Sequence, residues 1–157
     1  MIDNERAAAL WAEYVATLPE AERLTLPEPE AWAFGDSPEL ADELGALVKQ
    51  GIKTATADLV WVVEFEGRSI PKAGDYSIIL DGAGDPICII QTTEVTVRPY
   101  EDVPADFAYD EGEGDRSLTY WREEHWRYFS RRCADIGKKP TMTMAVICER
   151  FRLEYKG

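Results

Sequence analysis

The stretch that most restricts the fold is Gln50-Gly51-Ile52-Lys53-Thr54-Ala55-Thr56-Ala57-Asp58-Leu59, where a helical pattern stops and an extended one begins. Upstream, Ser37 followed by Pro38 reads as a helix start: a hydroxyl to accept a free first-turn amide, then a ring whose φ is preset for the first helical position. Leu40, Leu44, Leu47 and Val48 continue at helical spacing, and Gly51 can take the left-handed conformation that closes a helix. Ile52 to Leu59 are mostly small or β-branched, which predicts a strand or a tight turn entering a sheet. Lys53 therefore lies at an element boundary. It reads either as a solvent-facing lysine or as one that projects with Thr56 into a pocket, and spacing leaves both readings open.

The rest of the chain supplies what such a sheet needs. Asp3 or Asn4 can cap a first helix carrying Ala8, Leu10, Trp11, Tyr14, Val15 and Leu18 and ending near Pro19. An acidic, proline-bearing connector follows to residue 36, with Trp32 and Phe34 as core anchors. The run Leu59 to Gly67 is a buried strand or a short helix by periodicity. Tyr76 to Leu80 and Pro86 to Val97 read as strands joined by the turn Asp81-Gly82-Ala83-Gly84-Asp85. Within the second of them, alternation about Thr93 and Val95 lets Glu94 point inward, near enough to Lys53 to keep the lysine charged or to share a proton with it. Tyr109 to Asp115 predicts a tight glycine turn, with Asp115 capping a helix from Ser117 to Phe129. Leu118, Trp121, His125 and Phe129 share one face of that helix. The closing strand, Met142 to Tyr155, has no polar face and so is expected to be central.

Charge limits the partners. Thirty acidic against 17 basic residues give a net charge of −13, the opposite of a footprint for extended duplex DNA. A short single-stranded RNA or a nucleoside in a local basic cleft remains compatible, and His125, the one histidine, would be the natural acid or base in RNA cleavage. Ser117 and Ser130, with Arg131, are phosphate-binding donors at the helix ends. Asp110, Glu111, Glu113 and Asp115 lack the alternation of a calcium loop but offer hard oxygens for a water-mediated Mg²⁺. Cys88, Cys133 and Cys148 have no CxxC spacing, which indicates reduced thiols rather than a zinc site or a disulfide frame. No apolar run spans a membrane and the start lacks a signal peptide, so a cytoplasmic monomer or homodimer is the expectation.

Gly51-x-Lys53-x-x-Thr56, Gly74-Asp75 before an apolar strand, Gln91-Thr92-Thr93-Glu94-Val95, Glu111-Gly112-Glu113-Gly114-Asp115, the helix from Ser117 and Val146-Ile147-Cys148-Glu149 occur in an order of their own. Together they resemble the longer bacterial members of the ASCH (activating signal cointegrator homology) domain family over residues 30–154. The resemblance implies an α+β fold, a PUA-like open β-barrel of mixed sheet with flanking α-helices. Residues 1–29 would add a helix and connector to a single domain spanning 1–157, and Val60 onward would be the short helix. It also implies an RNA- or nucleotide-directed protein: a hydrolase cleaving single-stranded RNA in a cleft around Lys53, an amidohydrolase deacylating N4-acetylcytidine-type nucleosides, or a non-catalytic RNA-binding module. In the amidohydrolase branch a lysine, a threonine three residues on and a later glutamate act together, matching Lys53, Thr56 and Glu94. Thr54, Ser117, Trp121, His125, Ser130 and Arg131 are the expected substrate-binding residues. As a cleft cation, Lys53 should be replaceable by alanine with a stability change within about 0.5 kcal/mol.

Overall fold

The computed structural model describes residues 2–157. Asn4 opens the first helix, α1 (Glu5–Ala16), by accepting the amides of Arg6 and Ala7 on its side chain. A short α2 (Glu20–Arg23) follows, and then β1 (Glu30–Ala33). This strand lies in what the sequence presents as a connector: four residues between prolines carry no readable alternation, and their extended state comes from parallel pairing with β3 (Tyr76–Leu80), Glu30 opposite Ser77 and Ala33 opposite Leu80. Ser37 caps α3 (Pro38–Lys49) by accepting the Leu40 amide, with Pro38 in the first turn, and Gly51 follows at a φ of +78°.

One compact unit comprises the chain up to Ile52, residues 73–93 and residues 151–157. Its core has two parts. Ala7, Leu10 and Tyr14 of α1 cover Ile78 and Ile89, while Leu44 and Val48 of α3 pack with Phe34, Ile79, Cys88, Ile90 and Phe151. The hairpin of β3 and β4 (Pro86–Pro99) pairs Tyr76 with Gln91 and Ile78 with Ile89, and the Asp81 carboxylate holds its turn by accepting the amides of Ala83 and Asp85.

The second unit comprises residues 53–72 and 94–150. Here β2 (Ala55–Leu59) runs antiparallel to β5 (Ala145–Lys156), with Thr56 opposite Glu149 and Ala57 opposite Cys148. The ambiguous run after Leu59 is a helix, α4 (Val60–Phe65), which buries Val62 and Val63; packing here overrides β-branched propensity. A 3-10 turn at Tyr100–Asp102 leads to α5 (Ala105–Glu111), a helix whose last turn runs into the acidic turn at Gly112 and which the sequence does not announce. The long helix α6 (Leu118–Asp135) runs six residues past Phe129. Its cap is Ser117, which accepts the Tyr120 amide, while Asp115 accepts the amide of Ser117. Phe107, Tyr100, Trp121, Phe129, Cys133 and Val146 form the core of this unit.

The five strands form one mixed sheet in the order β1-β3-β4-β5-β2. β5 is thus flanked on both sides, as its unbroken buried run Val146, Ile147, Cys148 and Glu149 requires. Mixed sheet with flanking helices is the α+β arrangement of the PUA-like class. Among the described residues no helix is long and apolar enough to cross a membrane.

Candidate functional site

Lys53 is buried, with 1% of its surface exposed, and stands immediately before β2. Its ammonium donates to three oxygens: Glu111 Oε1 at 3.0 Å, Glu113 Oε2 at 2.9 Å and the Glu111 carbonyl at 3.3 Å. Three donors thus meet three acceptors. That carbonyl belongs to the last turn of α5, where the helix end itself favours a cation. Glu111 is 2% exposed and its other oxygen accepts from Trp121 Nε1 and lies 3.0 Å from His125 Nε2. The helical spacing that the sequence presents as one apolar face places the indole and imidazole in a stack, their centroids 4.1 Å apart. His125 Nδ1 lies 2.9 Å from the Trp121 carbonyl, so both ring nitrogens face acceptors and both carry a proton: the side chain is an imidazolium.

The proton affinities of these groups follow from the same geometry. Burial disfavours the charge on Lys53, yet the carboxylates of Glu111 and Glu113 outweigh it and hold the ammonium above its usual range. Burial likewise opposes charge on His125, and Glu111 overcomes it in the same way. Glu111 itself is held well below the ordinary carboxylate range, because Lys53 and His125 outweigh its burial. Glu113 goes the other way: burial raises its carboxyl and the neighbouring Glu111 raises it further, more than Lys53 lowers it.

The sequence gives no hint that Glu111 and Glu113 are the partners of Lys53, and it offers Glu94 instead. Glu94 is exposed on β4, beyond the segment that β3 covers, on the strand face that Thr96 and Arg98 share. Thr56 is half-buried in β2 opposite Glu149, on the other face of the strand from Ala55 and Leu59. Lys53, Thr56 and Glu94 therefore form no common cluster. Thr54 donates from its hydroxyl and its amide to the Asp110 carbonyl, which ties β2 to α5. Ser117 is occupied as a helix cap and Trp121 as a buried donor. Ser130 is half-buried on α6, and Arg131 lies exposed over the Tyr128 ring. Burial also reverses the expectation that Lys53→Ala leaves stability nearly unchanged.

The four carboxylates read as Mg²⁺ ligands turn to separate partners: Asp110 to Arg150, Glu111 and Glu113 to Lys53, Asp115 to the α6 cap. Glu111, Glu113 and His125 do present atoms within 4.8 Å of one another, but the Lys53 ammonium occupies the position between the two carboxylates with its own charge.

Beside this cluster, and sharing α5 with it, a cleft of about 440 Å³ opens against the sheet. Glu94, Thr96 and Arg98 line it from one face of β4, Cys148 and Arg150 from β5, and Pro104, Asp106 and Phe107 from the start of α5. Arg150 is held by Asp110 and by Asp106 at 3.4 Å, and stands over the Phe107 ring. Among the described residues no carboxylate pairs with Arg98, although it is half-buried. Burial pushes the Cys148 thiol up to about 12, so it stays protonated at neutral pH.

The ASCH domain family model matches residues 30–155. The chain belongs to the ASCH domain family. The crystal structure of an ASCH domain from Lactobacillus crispatus JV V101 is similar at a TM-score of 0.92 and 30% identity, over 97% of this chain and 96% of that one. A protein of Enterococcus faecalis V583 is similar at a TM-score of 0.86 and 35% identity, over 97% of this chain and 90% of the other. No curated protein matches. The family match also covers the Lys53 cluster and the cleft, so both are features of the ASCH portion of the chain.

Proposed function

We propose that this ASCH domain is RNA-directed and takes one nucleotide of a short single strand in the cleft between β4, β5 and α5. The observation that carries this reading is Arg98: among the described residues a half-buried guanidinium without a carboxylate partner, in a cleft of nucleotide size whose other arginine, Arg150, is already engaged by Asp106 and Asp110. A phosphate would take Arg98 as a charge-assisted donor, beside the Thr96 hydroxyl. Glu94 and Asp106 would accept from an exocyclic amino group of the base, and the mixed charge would discourage a bare phosphate chain. The test is anisotropy of a labelled tetranucleotide. Arg98→Ala should weaken binding ten- to a hundredfold, the about 1.5–3 kcal/mol of a hydrogen bond to a charged group. Unchanged affinity would refute the assignment of the cleft.

The finer reading is hydrolysis, either cleavage of the strand or deacylation of an acetylated cytosine. It draws support from the concentration of charge around Lys53, since buried titratable groups with displaced proton affinities mark functional sites more often than chance. Incubation with end-labelled RNA and with acetylcytidine, each with and without Mg²⁺, separates the hydrolase from the binding module: a product that Lys53→Met no longer forms supports the enzyme, and no product in either arm leaves binding alone.

A further inference from the structure

We propose that Lys53 and His125 form an anion-binding site of their own, separate from the cleft, and that the Glu113 carboxylate is its resident occupant, standing in for the phosphate or carboxylate group of a ligand. This does not rest on the RNA reading of the cleft.

The two glutamates that meet Lys53 are unequal. Glu111 belongs to α5, is 2% exposed and satisfies Lys53, Trp121 and His125 together; it is the fixed counter-ion of the cluster. Glu113 has 22% of its side chain exposed, and contacts the same ammonium at 2.9 Å from the solvent side. It lies on a turn between Gly112 and Gly114, both at positive φ, so its side chain can leave without moving α5 or α6. Gly114 is confined for a second reason: a Cβ there would strike the Tyr120 ring. The charges count the same way. Two buried cations face one buried carboxylate, and the second negative charge comes from the group best able to be exchanged. The strain on the arrangement shows in the carboxyl of Glu113, which burial and Glu111 hold above its normal range even with Lys53 beside it. An external monoanion at the same point would restore the same balance, taking the one Lys53 N–H that now reaches Glu113, with the charge of His125 nearby.

The experiment is chemical complementation. Glu113→Ala removes the carboxylate and leaves a space shaped for one. Inorganic phosphate and acetate should each raise the Tm of Glu113→Ala in a saturable, concentration-dependent way, and nucleoside 5′-monophosphate shows whether an esterified phosphate fits. Binding to the wild type should be at least tenfold weaker, because the ligand must first displace Glu113. Glu113→Gln, which refills the space without the charge, should gain far less. Adding Lys53→Met to Glu113→Ala should abolish the effect, whereas adding Arg98→Ala should leave it intact, which keeps this site's failure distinct from the cleft's. Equal stabilisation of wild type and Glu113→Ala, no saturable effect in Glu113→Ala, or an effect that survives Lys53→Met would each overturn the proposal.

Discussion

At the scale of single residues, the Lys53 cluster decides stability as well as chemistry. Lys53→Met leaves Glu111 as a buried carboxylate facing a methyl group, and breaking a buried pair from one side costs about 3–5 kcal/mol. Denaturant unfolding should show that loss as a lower midpoint at an unchanged slope, and a loss under about 1 kcal/mol would mean that water reaches the site. The same cluster sets the pH range of the fold from both ends. Glu111 binds its proton less readily when folded than when unfolded, so its contribution is present above the ordinary glutamate range and disappears as pH falls through the folded value. His125 has the opposite sign: its folded value is raised, so its contribution is complete below the ordinary histidine value and is lost as pH rises through the raised one. His125→Gln should therefore flatten the decline of stability above neutrality and move the acid limb to higher pH, because His125 also helps hold Glu111 low, as equilibrium unfolding across pH will show.

Between residues and the fold stand the elements, and the helix that carries the cluster is held at its start by one hydroxyl. Ser117→Ala removes the acceptor of the Tyr120 amide and should cost about 1 kcal/mol. Because Trp121 and His125 lie one and two turns further on, the fraying should also weaken their bonds to Glu111, visible as faster hydrogen exchange in the first turns of α6 than in its last. Such local signals are what a sequence carries well. Ser37 with Pro38, Asn4, Gly51 and the glycine turn after Leu80 each announce an element boundary through chemistry confined to a few neighbours, and each is realised. The parts that the sequence conceals depend on distant partners. β1 is extended because β3, more than forty residues later, pairs with it, and α5 forms before the acidic turn at Gly112 because Phe107 and Ala108 find a core. Lys53 meets its carboxylates across 58 and 60 positions, a pairing with no periodic signature, so the nearer strand glutamate looked the better candidate. Arg98 and Arg150 could be placed on sheet strands but not in one cleft, since that needs the register of β4 beside β5.

For the whole molecule, the net charge of −13 turns the partner question into a measurable slope. A protein that grips a long phosphate backbone releases many counterions, and its affinity falls steeply with salt. On the proposed reading a strand would meet the cleft arginines, Arg98 and Arg150, of which Arg150 is already engaged by Asp106 and Asp110. The slope of log affinity against log salt for a short single strand should then lie between about −0.7 and −1.4, one or two phosphates' worth. Lengthening the strand should not steepen it, because the added phosphates meet an acidic surface rather than further cations. Duplex DNA should fail to compete at any salt. A slope of about −2.8 or steeper would require four or more phosphate contacts and would move the interface away from the cleft, to a run of cations such as Arg127, Arg131, Lys138 and Lys139 on and beyond α6. Substituting Arg98 alone should remove about 0.7 of slope, one phosphate's worth, and the same substitution should leave the folding stability within about 0.5 kcal/mol of wild type, because no carboxylate among the described residues loses its partner.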